Sequence, residues 1–534
     1  MKSQCLPFSQ IPHSSRLFTD FISWKSPVQQ FYSRPPQIRE WIKEEAANIR
    51  YDSARREKVC NALELQNKSW NASPKTLENI RRLRAGAVAA VTGQQVGLFG
   101  GPLFSLFKAL YAVKLAEEAT AAGVDCVPVF WLATQDHDFA EVDHVTIPGG
   151  DDFKTFTAPV EHAANVPVGG LVLNAGMEEV VRAAIENLGE NEASAWLRAY
   201  HSGETFGGAF AHLFSQIFAD WGVILLDASS PELNAIAAPV YQAAVENADA
   251  LETALLARGK ALEAVGYDQQ VKIGENSTLL FAIENGARVP IHRQSSSPDF
   301  SIAGNVVSQA DLLNRIQAAP QDFSPNVLLR PVVQDYLLPT LVYTGGAAEV
   351  AYFAQAGVVY ESLLKRVTPI MPRFSATLVE PRPQSLLERY HLELPDLFSG
   401  PEILRERLAS HALPKELHAA FDAAEASVAA SLEPIRAVLT ALDKTLVDSA
   451  NTAGEKIRYQ LEQLRAKAAR AELRQTDVLG RHAELLSQVL FPNKNLQERE
   501  IGGIYFLARY GKKLLEDVYG CIHTDCLDHQ VITI

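Results

Sequence analysis

The chain of 534 residues is too long for one small core, so two or three structural units are expected. Its 49 basic and 63 acidic residues leave a net charge of −14, which argues against nucleic acid or an anionic membrane as the main partner. A composition of 47% hydrophobic and 21% charged residues excludes extensive disorder.

The segment MKSQCLPFSQIPHSSRLF lacks the apolar core of a signal peptide, and no run approaches the roughly 20 apolar residues of a membrane span. Cys5, Cys60, Cys126, Cys521 and Cys526 are scattered and outside any CxxC pair, predicting neither a disulfide framework nor a thiolate zinc site. A soluble cytoplasmic protein is the expectation.

Residues 36–84 mix charged and apolar residues at helical spacing, with Ser73-Pro74 starting a new helix. Residues 85–92 form a short apolar run ending in Gly93, followed by a glycine-rich turn and an apolar stretch at 103–115: strand, loop, helix. Residues 127–133, VPVFWLA, predict a second buried strand, which makes the helix over 102–121 the crossover of a βαβ unit. Further apolar runs at 222–226, 327–329 and 368–371 complete the pattern of an α/β core with a mostly parallel sheet and insertions at roughly 150–220 and 260–325.

From 417 to 468 apolar residues, among them Leu417, Phe421, Leu432, Leu439, Leu446, Ile457 and Leu464, recur every three or four positions. The mean step of roughly 3.6 predicts long paired helices with little supercoil, which Pro434 can start or kink. A hairpin within one chain and a dimerising coiled coil both satisfy such a stripe; a homodimer is the expectation. The segment FPNKNLQER at 491–499 breaks the stripe and is expected to pack near the core.

Three stretches carry candidate chemistry. In the first, Thr92, Gly93, Gln94, Gln95, Gly97, Gly100, Gly101 and Pro102 crowd between a strand and a helix. Glycines let backbone N–H groups approach a ligand, and Pro102 suits the first turn of a helix whose positive end favours phosphate. The stretch is neither a Walker loop nor a GxGxxG fingerprint, and a purely structural turn is the alternative. Lys108, two turns on, is either a phosphate contact or a solvated side chain.

The second stretch, Gln135-Asp136-His137-Asp138 through to His144, follows the Trp131 strand, at the strand end where ligands bind in open α/β sheets. Asp136 and Asp138 can orient His137, hold a protonated amine or accept a proton. A metal site is the alternative, although no HExxH motif or second ligand cluster accompanies it. In the third stretch, Arg330 can fork a substrate carboxylate, Gln334 and Asp335 interrupt apolar sequence, and Gly345-Gly346 precedes a helix and lets a ribose lie close. Here the alternative is a buried Arg330–Asp335 pair. Arg373 and Ser375 follow the last strand and can reach the same cleft.

The blocks TGQQVGLFGGPLFSLFKA at 92–109, PVFWLATQDHDFAEVDH at 128–144, LLRPVVQDYLLPTLVYTGGAAEVAYF at 328–353 and PRFSATLVE at 372–380 resemble those of the bacillithiol biosynthesis cysteine-adding enzymes, BshC. FPNKNLQER resembles a further element of that family, and the likeness runs over essentially the whole chain. It implies a Rossmann-like core similar to class I aminoacyl-tRNA synthetases over 1–385, and a helical coiled-coil domain over 386–534 that makes a dimer.

The implied reaction joins the carboxyl group of cysteine to the amine of glucosaminyl-malate, through an activated carboxyl such as a cysteinyl adenylate. ATP or ADP is then expected on the glycine-rich stretch with Lys108, Gly345, Gly346 and Glu349. Gln135, Arg330, Gln334, Asp335, Tyr343 and Arg373 are expected to bind substrate, and Asp136, His137 and Asp138 to be catalytic, with no metal assigned. A metal-dependent hydrolase using Asp136, His137, Asp138 and His144, and a non-catalytic nucleotide-binding dimer, are the competing functions.

Overall fold

The computed structural model describes all residues except 150, 151, 163, 296, 413, 414, 444 and 476. Its chain divides into two compact units, one comprising residues 1–377 and 498–532, the other 378–497 and 533–534.

The centre of the first unit is a five-stranded sheet of β1 (Val88–Gln94), β2 (Cys126–Leu132), β3 (Ile224–Asp227), β4 (Thr340–Gly345) and β5 (Ile370–Pro372), in the order β5-β4-β1-β2-β3. Every neighbouring pair is parallel. Strands covered on both faces need side chains that are apolar without alternation, and β2, CVPVFWL, is buried at every position. Helix α1 (Phe104–Ala121) crosses from β1 to β2 and buries most of its circumference, including Leu106, Leu110 and Leu115. The chain steps outward from β1 to β2 and β3, then returns to the other side of β1 for β4 and β5. That reversal between β1 and β4 is a topological switch point, where crevices open at the carboxyl ends of strands.

Between β2 and β3 lie an antiparallel hairpin, His144–Gly149 with Asp152–Thr157, and several helices. Between β3 and β4 the chain builds a second five-stranded sheet containing Ser277–Glu284, Ala287–Arg293 and Phe323–Pro325. The strand expected at 327–329 does not form. Asn326 Oδ1 accepts from the backbone N–H groups of Leu328 and Leu329, each at 3.0 Å, and helix Arg330–Leu337 starts there with proline in its first turn. The fourth strand of the parallel sheet is Thr340–Gly345 instead.

The cysteine expectation also needs correction. Cys5 and Cys526 form a disulfide, their Cα atoms 7.2 Å apart and their positions 521 residues apart in sequence, a separation at which spacing carries no signal. Cys60 and Cys126 are free and buried.

In the second unit the apolar stripe becomes two helices, α2 (Lys415–Leu442) and α3 (Leu446–Gln475). They pair antiparallel within one chain: Arg465 binds Asp422 at 2.5 Å, and a Cβ on Gly454 would meet Leu432. The break falls where Asp443 Oδ1 accepts from the backbone and hydroxyl of Thr445. The helical period continues in phase across this turn, which is why it reads as uninterrupted. Among the described residues, no helix is long and apolar enough to cross a membrane.

Candidate active site

A cavity of about 500 Å³ opens at the carboxyl ends of β1, β2 and β4. Its wall combines Gly93, Gln94 and Gln95 at the end of β1, Gln135 and Asp136 beyond β2, and Tyr343 and Gly346 around the end of β4. Lys108 on α1, Arg288 on the second sheet, Arg330, Arg373 and Arg499 bring positive charge to it; Asp136, Glu141 and Glu349 bring negative charge. Cations outnumber anions here in a protein of net charge −14, so the cavity runs against the global balance.

Lys108 is neither a solvated side chain nor a free phosphate contact. Its Nζ lies 2.5 Å from Glu349 Oε2 and donates to Gly93 O at 2.8 Å and Gln94 Oε1 at 2.9 Å. Burial brings its pKa down to about 8, with Glu349 opposing that shift and Arg373 and Arg330 adding to it. Burial also pushes the Glu349 carboxyl up, but Lys108, the Tyr343 hydroxyl at 2.6 Å and the Gly346 N–H at 2.7 Å overcome this and hold it below its ordinary value. The pair is therefore ionised at neutral pH.

Arg330 lines the cavity beside the rings of Trp131 and Tyr343, donating to Tyr352 at 2.9 Å and Gln334 at 3.2 Å. Gln334 is thus a buried support for Arg330. Asp335 does not face the cavity and is not paired with Arg330: it accepts from Thr368 and lies in the field of Arg366, which corrects its assignment to substrate binding. Arg330 and Asp335 are five positions apart on one helix, about 140° around its axis, which separates them.

Asp136 accepts from Gln95 Nε2 at 2.7 Å, and the same amide donates to Glu141 at 2.7 Å. The side chain of His137 turns to Arg288, whose Nη1 is 3.3 Å from Nδ1, and does not line the cavity. Asp138 is exposed and also lies outside the lining, so the three residues expected to be catalytic diverge, as consecutive positions in an irregular loop do. His144 pairs with Asp143 at 2.7 Å on the hairpin. Among the described residues, no group of three or more His, Cys, Asp or Glu side chains could hold a metal ion.

The glycine turn differs from its expected role. Gly97, Gly100, Gly101 and Pro102 do not line the cavity. Tyr200 donates to Gly97 O, a Cβ on Gly100 would press on Leu213 and Phe214, and the backbone of Ile501 and Gly503 binds that of Leu103 and Gly101. Positive φ at Gly100 (+89°) and Gly101 (+70°) serves this tight packing. Thr92 is a core residue donating to Thr344 O, and Gly345 is packed beneath Glu349. Of the expected nucleotide contacts, Gly93, Gln94, Gln95, Lys108, Gly346 and Glu349 reach the cavity.

Residues 1–374 match the family described as Bacillithiol biosynthesis BshC, N-terminal Rossmann-like domain, and residues 376–534 match its C-terminal coiled-coil domain. The chain belongs to the BshC family. It is 46% identical over 538 residues to a protein of Koribacter versatilis and 36% identical over 536 residues to one of Solibacter usitatus, each match covering 100% of both chains. A protein of Salinibacter ruber is 33% identical over 530 residues, covering 97% of this chain and 96% of its own. Each of the three is named "Putative cysteine ligase BshC".

Within this BshC framework several cavity residues escape a reading of the sequence. Arg288 sits in no recognisable motif, Glu141 stands in the second stretch without an expected role, and Tyr352 lies in an apolar helix. Arg499 belongs to FPNKNLQER, marked by its break in the helical stripe and by its family likeness but by no role for the arginine.

Proposed function

We propose that the protein is a carbon–nitrogen ligase that adds L-cysteine to glucosaminyl-malate to form bacillithiol, the last step of bacillithiol biosynthesis, using an activated cysteine carboxyl group. The observation that carries this reading is the cationic cavity at the switch point of an acidic α/β protein. Its proposed ligands are anionic: the carboxylate of cysteine and the two carboxylates of malate. Arg330 and Arg373 can each present paired N–H groups to such a carboxylate.

The other proposed substrate group is an ammonium on the amino sugar. Asp136 and Glu141, bridged by Gln95, form an acidic wall that attracts it; Asp136 takes one ammonium proton, freeing the lone pair that attacks the acyl carbon and displaces the activating group, and the second proton passes to solvent. The names borne by relatives support the same reaction class. A nucleotide, ATP or ADP, is part of the proposal. Its phosphates fit the cationic side of the cavity, at Arg373 and Arg499, better than the buried glycine turn. We further propose a cytoplasmic homodimer joined through α2 and α3.

Purified protein supplied with cysteine and glucosaminyl-malate, with and without ATP, tests the reading by mass detection of bacillithiol and AMP. Bacillithiol with stoichiometric AMP is expected. Absence of bacillithiol under both conditions overturns it.

A further inference from the structure

Arg373 reaches the cavity with its charge already engaged. Its Nη2 donates to Glu498 Oε1 at 2.6 Å and its Nη1 to Phe374 O at 2.8 Å, and the guanidinium lies over the Phe104 ring. Nε lies 3.4 Å from where a Gly346 Cβ would stand, so the glycine leaves this edge clear. Glu498 is wholly buried and lies 125 positions away in sequence. Both its oxygens are tied: Oε1 also accepts from the Ser375 hydroxyl at 2.8 Å, and Oε2 from the Ala376 N–H at 3.0 Å.

Behind this carboxylate stands His529, also wholly buried, with Nδ1 2.7 Å from Ser375 Oγ and Nε2 2.9 Å from Thr377 Oγ1. With burial holding the imidazole neutral, one proton arrangement satisfies the chain. Ser375 gives its hydrogen to the carboxylate and must therefore accept from Nδ1–H, which leaves Nε2 to accept from Thr377. The imidazole is neutral, and the serine proton is fixed toward Glu498.

A buried ion pair of this kind is a poor source of stability, because well-packed apolar residues of similar volume commonly do as well. Its worth lies in fixing direction. We propose that Glu498 is a positioning residue, locked by Ser375, Ala376 and His529, that holds Arg373 against the cavity so that its remaining N–H groups meet an anionic group of the substrate. The proposal rests on the functional reading above for what that group belongs to.

Crystal structures of the wild type and Glu498→Gln, together with a kinetic cycle of Glu498→Gln, Arg373→Lys and the double variant, test it. In Glu498→Gln, Arg373 is expected to leave its wild-type position while the sheet is unchanged, and kcat/KM to fall by about 30-fold, as misplacement of a positioning group does. The double variant is expected to be no worse than the poorer single variant. An Arg373 that keeps its place, or losses that multiply in the double variant, overturns the proposal. Should Glu498→Gln fail to fold, Ser375→Ala, which keeps the ion pair, supplies the same two readings at smaller amplitude. If the wild type makes no amide, the functional reading fails, and the crystallographic position of Arg373 still decides the clamp.

Discussion

Lys108 and Glu349 sit 2.5 Å apart because they ride on the helices that follow the two adjacent strands β1 and β4, so their ion pair closes the seam at which the strand order reverses. Lys108 is buried and Glu349 half-buried, both hydrogen-bonded to groups at the strand ends, and removing one leaves the other without its counter-charge.

Lys108→Met is therefore expected to lower unfolding free energy by roughly 3–5 kcal/mol, read from the urea midpoint. The double variant Lys108→Met, Glu349→Leu is expected to recover most of that loss without recovering amide formation. A single variant as stable as wild type would show that the pair bears no such strain of desolvation.

His529 sets a pH dependence. Burial lowers its pKa to about 4, with Glu498 opposing and Arg373 reinforcing the shift, against about 6.5 in an unfolded chain. Below pH 6.5 the unfolded state takes up a proton that the folded state refuses, so this contribution is complete above that pH and is lost progressively down to about 4. The loss amounts to roughly 3 kcal/mol. Between pH 7, 5.5 and 4 the denaturation midpoint of the wild type should fall relative to that of His529→Gln. Parallel curves would contradict a neutral buried imidazole.

Asp136 and Asp138, equivalent in the sequence, are not equivalent in the cavity wall. Asp136→Asn is expected to reduce amide formation by at least about 100-fold, as losing a positioned base does, while exposed Asp138→Asn changes it less than about threefold. Steady-state turnover of both variants checks this, and equal losses would return both carboxylates to the mechanism.

The helical unit leaves Ile435, Val438 and Leu442 exposed along α2, and Ile457 and Leu464 along α3. A second copy of this surface is the proposed cover. Light scattering at micromolar concentration should give a dimer, and Val438→Glu with Leu442→Glu a monomer of unchanged helicity. A monomeric wild type would refute it. Leu439 and Leu446, equally prominent in the sequence stripe, are half-buried and poorer probes.

The core strands were legible because a strand covered on both faces must be apolar throughout, as in residues 126–132. Strand Thr340–Gly345 was not, since its polar Thr340, Tyr343 and Thr344 break the run while being buried through contacts invisible in sequence. Asp136 could be picked out from its place beyond a buried strand, Lys108 from the helix after the glycine turn, and Arg330 from the apolar sequence it interrupts. Glu349 and Gln334 were named as well, but that they meet Lys108 and Arg330 is decided by helix phase; Tyr352 gave no signal, and Arg288 arrives from a separate sheet. The glycine turn misled because tight packing and phosphate binding demand the same backbone freedom.

The Arg373–Glu498 clamp spans the whole of the inserted helical unit, and this separation orders events in time. Arg373 is synthesised 125 residues before its carboxylate, an interval of roughly 6–25 seconds at ordinary elongation rates. Throughout that interval the nascent core carries an arginine with no counter-charge and a sheet without the backbone cover at Leu103 supplied by Ile501. The protein is thus built as an open shell while its helices emerge, and the cavity wall closes only when residues beyond 497 clear the ribosome. A messenger truncated within the helical hairpin would yield all five strands of the parallel sheet with Arg373 lacking its Glu498 partner.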